Sequence, residues 1–277
     1  MSRFEALFLG AGVLMYALGA AAALATARSG DRRRLAQARL TGLLGALYHL
    51  AVLVSQGVRS GHFPVTGAPE AFLALAAASI LVALGLDALR RFSVLLIGTL
   101  PLALVTSLLA AALLLAPGAD APPVKGAASA WTALHIFTAL GAYLAFGFAF
   151  VAGILYLVAQ RQLKDHRLST TLGLMPPLQS IARLNLRSIA VGAVLLAGGI
   201  LVGYAQARSV YNRQFDRLDP KIILSTLTFA AYVVVLVMHR RPDFRGRRAA
   251  LASVAGFLLV MVNFWASIFW SGFHNFR

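Results

Sequence analysis

Eight apolar runs, each close to the length of a membrane-spanning helix, constrain the fold of this chain more than any other feature. A helix needs roughly 20 apolar residues to cross ~30 Å of hydrocarbon. The runs lie at residues 5–27, 40–58, 71–89, 92–116, 131–160, 188–206, 222–238 and 249–270. Because lipid offers the backbone no hydrogen-bond partners, each span has to be helical. The sequence therefore predicts an all-α, polytopic membrane helix bundle with about eight transmembrane helices.

The composition agrees with this fold and leaves little chain for a second domain. Of the 277 residues, 60% are hydrophobic and 12% are charged, which is more apolar surface than a soluble domain of this size can bury. The segments between the runs are short, so residues 1–277 are predicted to form one transmembrane domain. The first run is expected to stay as a helix rather than to be a cleaved signal peptide.

The basic residues predict an orientation in the membrane rather than a nucleic-acid partner. The formal net charge is +16, yet 17 of the 25 lysines and arginines follow the first, third, fifth and seventh runs. The positive-inside rule places these segments in the cytoplasm and both termini outside. We therefore predict no binding of nucleic acid.

Few catalytic groups are present. The chain has no cysteine, which excludes disulfides, thiolate metal sites and thiol nucleophiles. It contains no phosphate-binding loop, zinc-protease motif or serine-hydrolase motif. The sequence therefore favours a binding role over independent catalysis.

Three of the six histidines are predicted to lie inside the membrane or on its cytoplasmic side. His49 is midway through the second run, where an imidazole either hydrogen-bonds to a neighbouring helix or acts as a ligand or relay. His166 and His239 follow the fifth and seventh runs in charged segments, and we expect both to be solvated.

The other three histidines mark the outer face. Trp131 and His135, and again Trp270 and His274, are four residues apart and share a helix face. His62 follows the second run in a Gly/Pro-rich outer loop. Such histidines are either ordinary residues at the membrane interface or axial ligands of a haem iron, and the residues alone leave both alternatives open.

A polar segment from Ala205 to Lys221 separates the sixth and seventh runs on the same face. Haem needs cations for its propionates and apolar or aromatic side chains for its rim. Cations for the propionates are available at Arg208, Arg213, Arg217 and Lys221. Aromatic side chains are available at Tyr143, Phe264, Trp265 and Phe269.

Two patterns in and before the sixth run predict where its helices lie. The stretch from Leu174 to Leu186 is amphipathic and predicts a separate helix on the inner membrane surface, with Arg183 and Arg187 toward the headgroups. Gly199 and Gly203 form a G-x-x-x-G pattern, which is typical of close helix packing.

Ordered motifs along residues 40–277 resemble the cytochrome c assembly family, the membrane proteins of the CcsA, CcmC and HemX type. The pattern is most similar to the eight-span HemX-like and CcsA-like members of the inner membrane. The motifs are S-G-H-F-P at residues 60–64 followed by Glu70, W-x-x-x-H at Trp131, M-P-P-L at residues 175–178, D-P-K at residues 219–221, and the S-G-F-H ending at His274.

The resemblance implies a haem-binding protein of the bacterial cytoplasmic (inner) membrane that supports c-type cytochrome biogenesis. It implies that His135 and His274 are axial ligands of a non-covalent b-type haem. Asp219 would belong to the haem-facing loop, and His49 would be a candidate for a second site within the membrane. The implied site also includes His62, Trp131 and Trp270.

The implied partners are haem, apocytochrome c and a second membrane subunit of a cytochrome c synthesis system. Since the chain has no catalytic motif of its own, it would at most be the haem-presenting subunit of a haem lyase or synthetase complex.

The chain departs from the family pattern just before D-P-K. Asp216 and Leu218 occupy the positions of two family tryptophans, and Ile222 occupies that of a glutamate. This departure leaves a second hypothesis, a HemX-like membrane interaction protein of haem metabolism that does not deliver haem. A third hypothesis is a small-anion transporter that uses the outer cations and His49, although no internal inverted repeat is evident.

Overall fold

A computed structural model describes residues 2–61, 63–65, 67–90, 92–115, 130–165, 175–209 and 220–269. Within these residues the chain forms eight α-helices that are long and apolar enough to cross a membrane, which confirms the predicted fold class. The helices are α1 Arg3–Ser29, α2 Arg32–Ser60, α3 Ala68–Arg90, α4 Leu95–Leu114, α5 Ala130–Lys164, α6 Leu178–Ser209, α7 Pro220–Met238 and α8 Arg247–Phe269. A short 3-10 turn, Pro242–Phe244, precedes α8.

The first two helices begin and end at local sequence signals. Ser2 and Glu5 form a capping box at the start of α1, in which each side chain accepts a hydrogen bond from the other residue's backbone N–H. Gly30 ends α1 at φ +68° and Gly61 ends α2 at φ +69°, a backbone region that favours glycine. Between the two helices, the Asp31 carboxylate accepts from the N–H of Arg33 and caps α2.

The helices pack as two groups that are joined through α5. In the first group α1 lies against α2 and α4, and α3 lies against α2 and α4. In the second group α5 lies mainly against α6 and α8, while α7 contacts α6 and α8. The buried apolar residues form two clusters along the bundle, and residues of α1 to α6 and α8 contribute to both.

A histidine lies near each end of the bundle and gives that end its name. The His135 end is where α5 begins, and the His239 end is where α7 ends. At the His135 end, the fully buried Glu5 pairs with Arg59 of α2 at 2.6 Å. At the His239 end, Arg39 of α2 pairs with the nearly buried Asp87 of α3 at 2.7 Å. These ion pairs connect neighbouring helices at the two ends of the bundle. Which end faces the cytoplasm stays a prediction.

The surface helix predicted for Leu174–Leu186 is wrong in its described part, because residues 178–186 are the first turns of the continuous helix α6. Asn185 is buried, and its Nδ2 donates to the Ala149 carbonyl at 2.7 Å and to the Ser253 hydroxyl at 2.8 Å. The side chain of Asn185 is therefore satisfied by α5 and α8 rather than by lipid headgroups.

Gly192 and Gly198 on α6 provide a test of this packing. A Cβ at Gly192 would lie 2.5 Å from Cε1 of Phe146, whose ring is stacked on Tyr232 with centroids 3.8 Å apart and has little room to move. We expect Gly192→Ala to cost about 1–3 kcal/mol of stability through overpacking and to lower the thermal unfolding midpoint in detergent.

Gly198→Ala is the matched control, because no described residue of another helix lies within 4 Å of its added Cβ. This variant should keep or slightly raise the midpoint, since alanine is the better helix former by up to ~1 kcal/mol. Equal midpoints for the two variants would contradict the packing described.

Candidate functional site

His135 lies near the first turn of α5 and is held against α6. Its Nδ1 is 2.8 Å from the carbonyl oxygen of Gly199. A carbonyl oxygen only accepts hydrogen bonds, so Nδ1 carries the proton and Nε2 carries the lone pair. The chain thus fixes both the ring orientation and the tautomer that is able to bind a metal through Nε2.

The G-x-x-x-G pattern of α6 forms the surface on which this imidazole rests. A Cβ at Gly203 would lie 2.8 Å from Cε1 and 2.9 Å from Nδ1 of His135. A Cβ at Gly199 would lie 3.3 Å from Oγ1 of Thr138, one turn further along α5. The predicted role in close helix packing is confirmed, and the ring of His135 is part of that packing.

Lys221 brings a cation to the same end of the bundle. Its Nζ donates to the Tyr143 hydroxyl at 3.2 Å and to the Asn263 carbonyl at 3.4 Å, and it is near enough to His135 to interact with it electrostatically. The buried Asn263 side chain donates to the Ser225 hydroxyl at 3.2 Å and joins α8 to α7. Three helices therefore hold the ammonium group in place.

Aromatic side chains lie next to this cation. Phe264 of α8 meets Tyr143 edge-on with ring centroids 5.8 Å apart, and it lies 4.6 Å from Phe72 of α3. Trp265 contacts Phe72 with centroids 6.3 Å apart. Trp131, one turn before His135, is 47% exposed. The His135 end thus offers aromatic surface together with an imidazole and a cation.

Six of the predicted site residues lie outside the described residues. They are His62, Arg213, Arg217, Asp219, Trp270 and His274. The side chains of Arg208 and Phe269 lie outside them as well. Their place in the site stays a prediction.

His49 occupies a different part of the bundle, among α1, α2 and α4. It is fully buried, its Nε2 is 3.1 Å from the Ser107 hydroxyl, and its ring meets Tyr16 edge-on at 5.0 Å. A Cβ at Gly12 would lie 2.5 Å from Nε2, so the ring packs directly on the backbone of α1. This geometry favours a hydrogen-bonded core histidine over a metal ligand.

A family model for the cytochrome C assembly protein matches residues 65–274, which span most of the chain. The chain belongs to the cytochrome c assembly protein family. The matched region runs from just before α3 to beyond α8, and it contains His135, Gly199, Gly203 and Lys221.

Individual relatives agree with this assignment. Protein HemX of Brevibacillus brevis is 28% identical over 229 residues, which cover 80% of this chain and 82% of that protein. The cytochrome c biogenesis protein CcsA of Prochlorococcus marinus (strain MIT 9312) is 26% identical over 245 residues, covering 80% and 78%. The inner membrane protein YpjD of Escherichia coli (strain K12) is 30% identical over 106 residues, covering 38% and 39%.

Sequence reasoning missed several of these contacts. Phe72, Asn263 and Ser225 were not candidates, although a polar side chain within an apolar run is itself a signal of a specific partner. The contact of Gly203 with the His135 ring could not be predicted from spacing alone, because spacing does not show which helix the glycine meets.

The tautomer of His135 can be measured directly. In protein labelled with 15N-histidine, the pair of ring signals that disappears in a His135→Gln variant should show a protonated Nδ1 and an unprotonated Nε2. The expected cause is the Gly199 carbonyl, which accepts only from an N–H. Solid-state 15N NMR of the protein in lipid bilayers gives this measurement, and a proton on Nε2 would contradict the site geometry.

Proposed function

We propose that this chain binds a b-type haem non-covalently at the His135 end and supports c-type cytochrome biogenesis. The observation that carries the proposal is the hydrogen bond from His135 Nδ1 to the Gly199 carbonyl. A carbonyl that accepts from the ring nitrogen away from the metal is how proteins commonly orient a histidine ligand and increase its basicity. Membership of the cytochrome c assembly family supports the same function.

In this proposal His274 is the second axial ligand. It follows Trp270 at the same four-residue spacing that separates Trp131 from His135, and α8 runs toward the His135 end. The two tryptophans would flank the haem, with His62 and Asp219 in the loops beside it. No ligand role is assigned to His49, whose Nε2 is engaged by Ser107.

The neighbouring residues suit the rest of the haem molecule. The Lys221 ammonium group, held by the Tyr143 hydroxyl and the Asn263 carbonyl, would offset the charge of a propionate. The aromatic group of Phe72, Phe264 and Trp265 would take the apolar rim. The iron would supply the redox and ligand chemistry, and the chain's own residues would bind and orient it.

The proposed role is to present haem to partners at the outer face of the bacterial cytoplasmic membrane, with both termini outside. Thiols for covalent attachment would come from apocytochrome c, because this chain has no cysteine. A second membrane subunit of a synthesis system would act with it. The names of the relatives CcsA and YpjD, a cytochrome c biogenesis protein and an inner membrane protein, support this setting.

The absorption spectrum of the detergent-purified protein tests haem binding. The wild type should show a sharp Soret band and split visible bands on reduction, as expected of two histidine ligands. His135→Ala combined with His274→Ala should reduce bound haem at least about tenfold, since both proposed ligands are lost. His166→Ala is the matched control, because this histidine is predicted to lie in a cytoplasmic segment, and it should leave the spectrum unchanged.

If the double variant keeps full haem content and the wild-type spectrum, the proposed ligands are wrong. If the wild type is colourless and takes up no added haem, haem binding itself is wrong.

A second candidate function is a HemX-like interaction protein of haem metabolism that does not deliver haem. One feature favours it: Asp216 and Leu218 occupy the positions at which the family resemblance places two tryptophans. Deletion of the gene separates the two functions. Loss of all c-type cytochromes would exclude the second candidate, and their normal assembly would exclude the first.

A further inference from the structure

A cavity of about 470 Å³ opens at the His239 end, on the opposite side of the bundle from the candidate haem site. It lies between the last turns of α5, the first turns of α6 and the turn that joins α7 to α8. Its lining residues are Tyr156, Leu178, Gln179, Ala182, Arg183, Leu186, His239, Arg245 and Gly246.

The wall formed by α6 has an apolar stripe beside a polar one. Leu178, Ala182 and Leu186 are spaced by four residues and therefore follow one face of the helix into the bundle. Gln179 and Arg183 follow the adjacent face at the same spacing. A ligand that fills this cavity has to be polar at one end and apolar along its length.

Two guanidinium groups lie at the cavity. Arg245 donates from Nε to the His239 carbonyl at 3.2 Å and from Nη2 to the Arg240 carbonyl at 3.5 Å, which holds it over the end of α7. Arg183 donates to the Ser180 hydroxyl at 3.0 Å. Within the part of the chain that the structure describes, neither arginine pairs with a carboxylate, so positive charge at the cavity is not neutralised there.

His239 is only in part the solvated residue that the sequence predicted, because the residue is half-buried. Its Nδ1 is buried and has no hydrogen-bond partner among the described residues. Burial, and secondarily the nearby Arg245 charge, hold the pKa of His239 below its usual value. The neutral ring therefore adds no charge to the cavity wall, and its Nδ1 lies beneath the surface that a ligand would contact.

We propose that this cavity binds an anionic phospholipid. The phosphate lies on Arg183 and Arg245, and an acyl chain follows the Leu178–Ala182–Leu186 stripe. Guanidinium groups bind phosphate oxygens in a bidentate manner, and basic pockets between helix ends are suited to anionic headgroups. The apolar stripe favours a lipid over free phosphate. This inference does not depend on the proposed function.

Native mass spectrometry of the full-length protein released from nanodiscs tests the proposal. The discs contain phosphatidylcholine with a minority of phosphatidylglycerol. The wild type should retain phosphatidylglycerol in preference to phosphatidylcholine. Arg183→Gln combined with Arg245→Gln should weaken this retention about tenfold, because two charge-assisted contacts are lost.

The charge-matched control is Arg187→Gln combined with Arg248→Gln. Both control arginines are exposed and neither lines the cavity, so this variant should retain phosphatidylglycerol like the wild type. An equal loss in the control would show that only the general surface charge matters and would overturn the proposal. No preference for phosphatidylglycerol in the wild type would also overturn it.

Ala182→Phe provides a second test that leaves both arginines and the hydrogen bonds of Arg245 in place. The larger side chain fills the cavity beside the apolar stripe, so it should abolish specific retention of the lipid. If this variant retains phosphatidylglycerol like the wild type, the lipid binds elsewhere and the proposal is overturned. A competition experiment identifies the ligand. If millimolar inorganic phosphate or haem displaces the phospholipid completely, that competitor is the ligand of the cavity and the proposal is overturned.

Discussion

The contact between α5 and α6 is the interaction on which the candidate site depends. Gly199 and Gly203 remove the side chains that would separate the two helices, and the imidazole of His135 fills the space that Gly203 leaves. The same contact supplies the Gly199 carbonyl that holds the Nδ1 proton. In lipid, helix association relies on close packing and hydrogen bonds rather than on hydrophobic burial, so here one surface both stabilises the bundle and orients a possible ligand.

Three polar side chains within the bundle also join helices to one another through hydrogen bonds. Asn185 joins α6 to α5 and α8, Asn263 joins α8 to α7, and His49 joins α2 to α4. Lys221, beside the proposed haem site, and the cavity beside His239 lie at opposite ends of the bundle. The proposed haem site and the proposed lipid site therefore use separate surfaces of one scaffold.

The fold class and the eight spans were predictable because hydropathy and length report directly on the cost of placing backbone and side chains in lipid. The continuous helix α6 could not be predicted, because an amphipathic stretch packs equally well on a membrane surface or on protein. Only the hydrogen bond of the buried Asn185 to α5 decides between the two. The environment of His239 was missed for a similar reason: a charged segment next to it suggested solvent, whereas the folded helix ends bury its Nδ1.

The most direct test of the central claim is the haem-loaded spectrum and haem affinity of Gly203→Ala measured beside Gly198→Ala. Both changes add one methyl group to α6, but only the first places it against His135. If the α5–α6 contact presents His135 to iron, Gly203→Ala should weaken haem binding about tenfold or more, as changes beside a metal ligand do, and lose the low-spin spectrum. Gly198→Ala should match the wild type. A Gly203→Ala protein with wild-type spectrum and affinity would contradict the account.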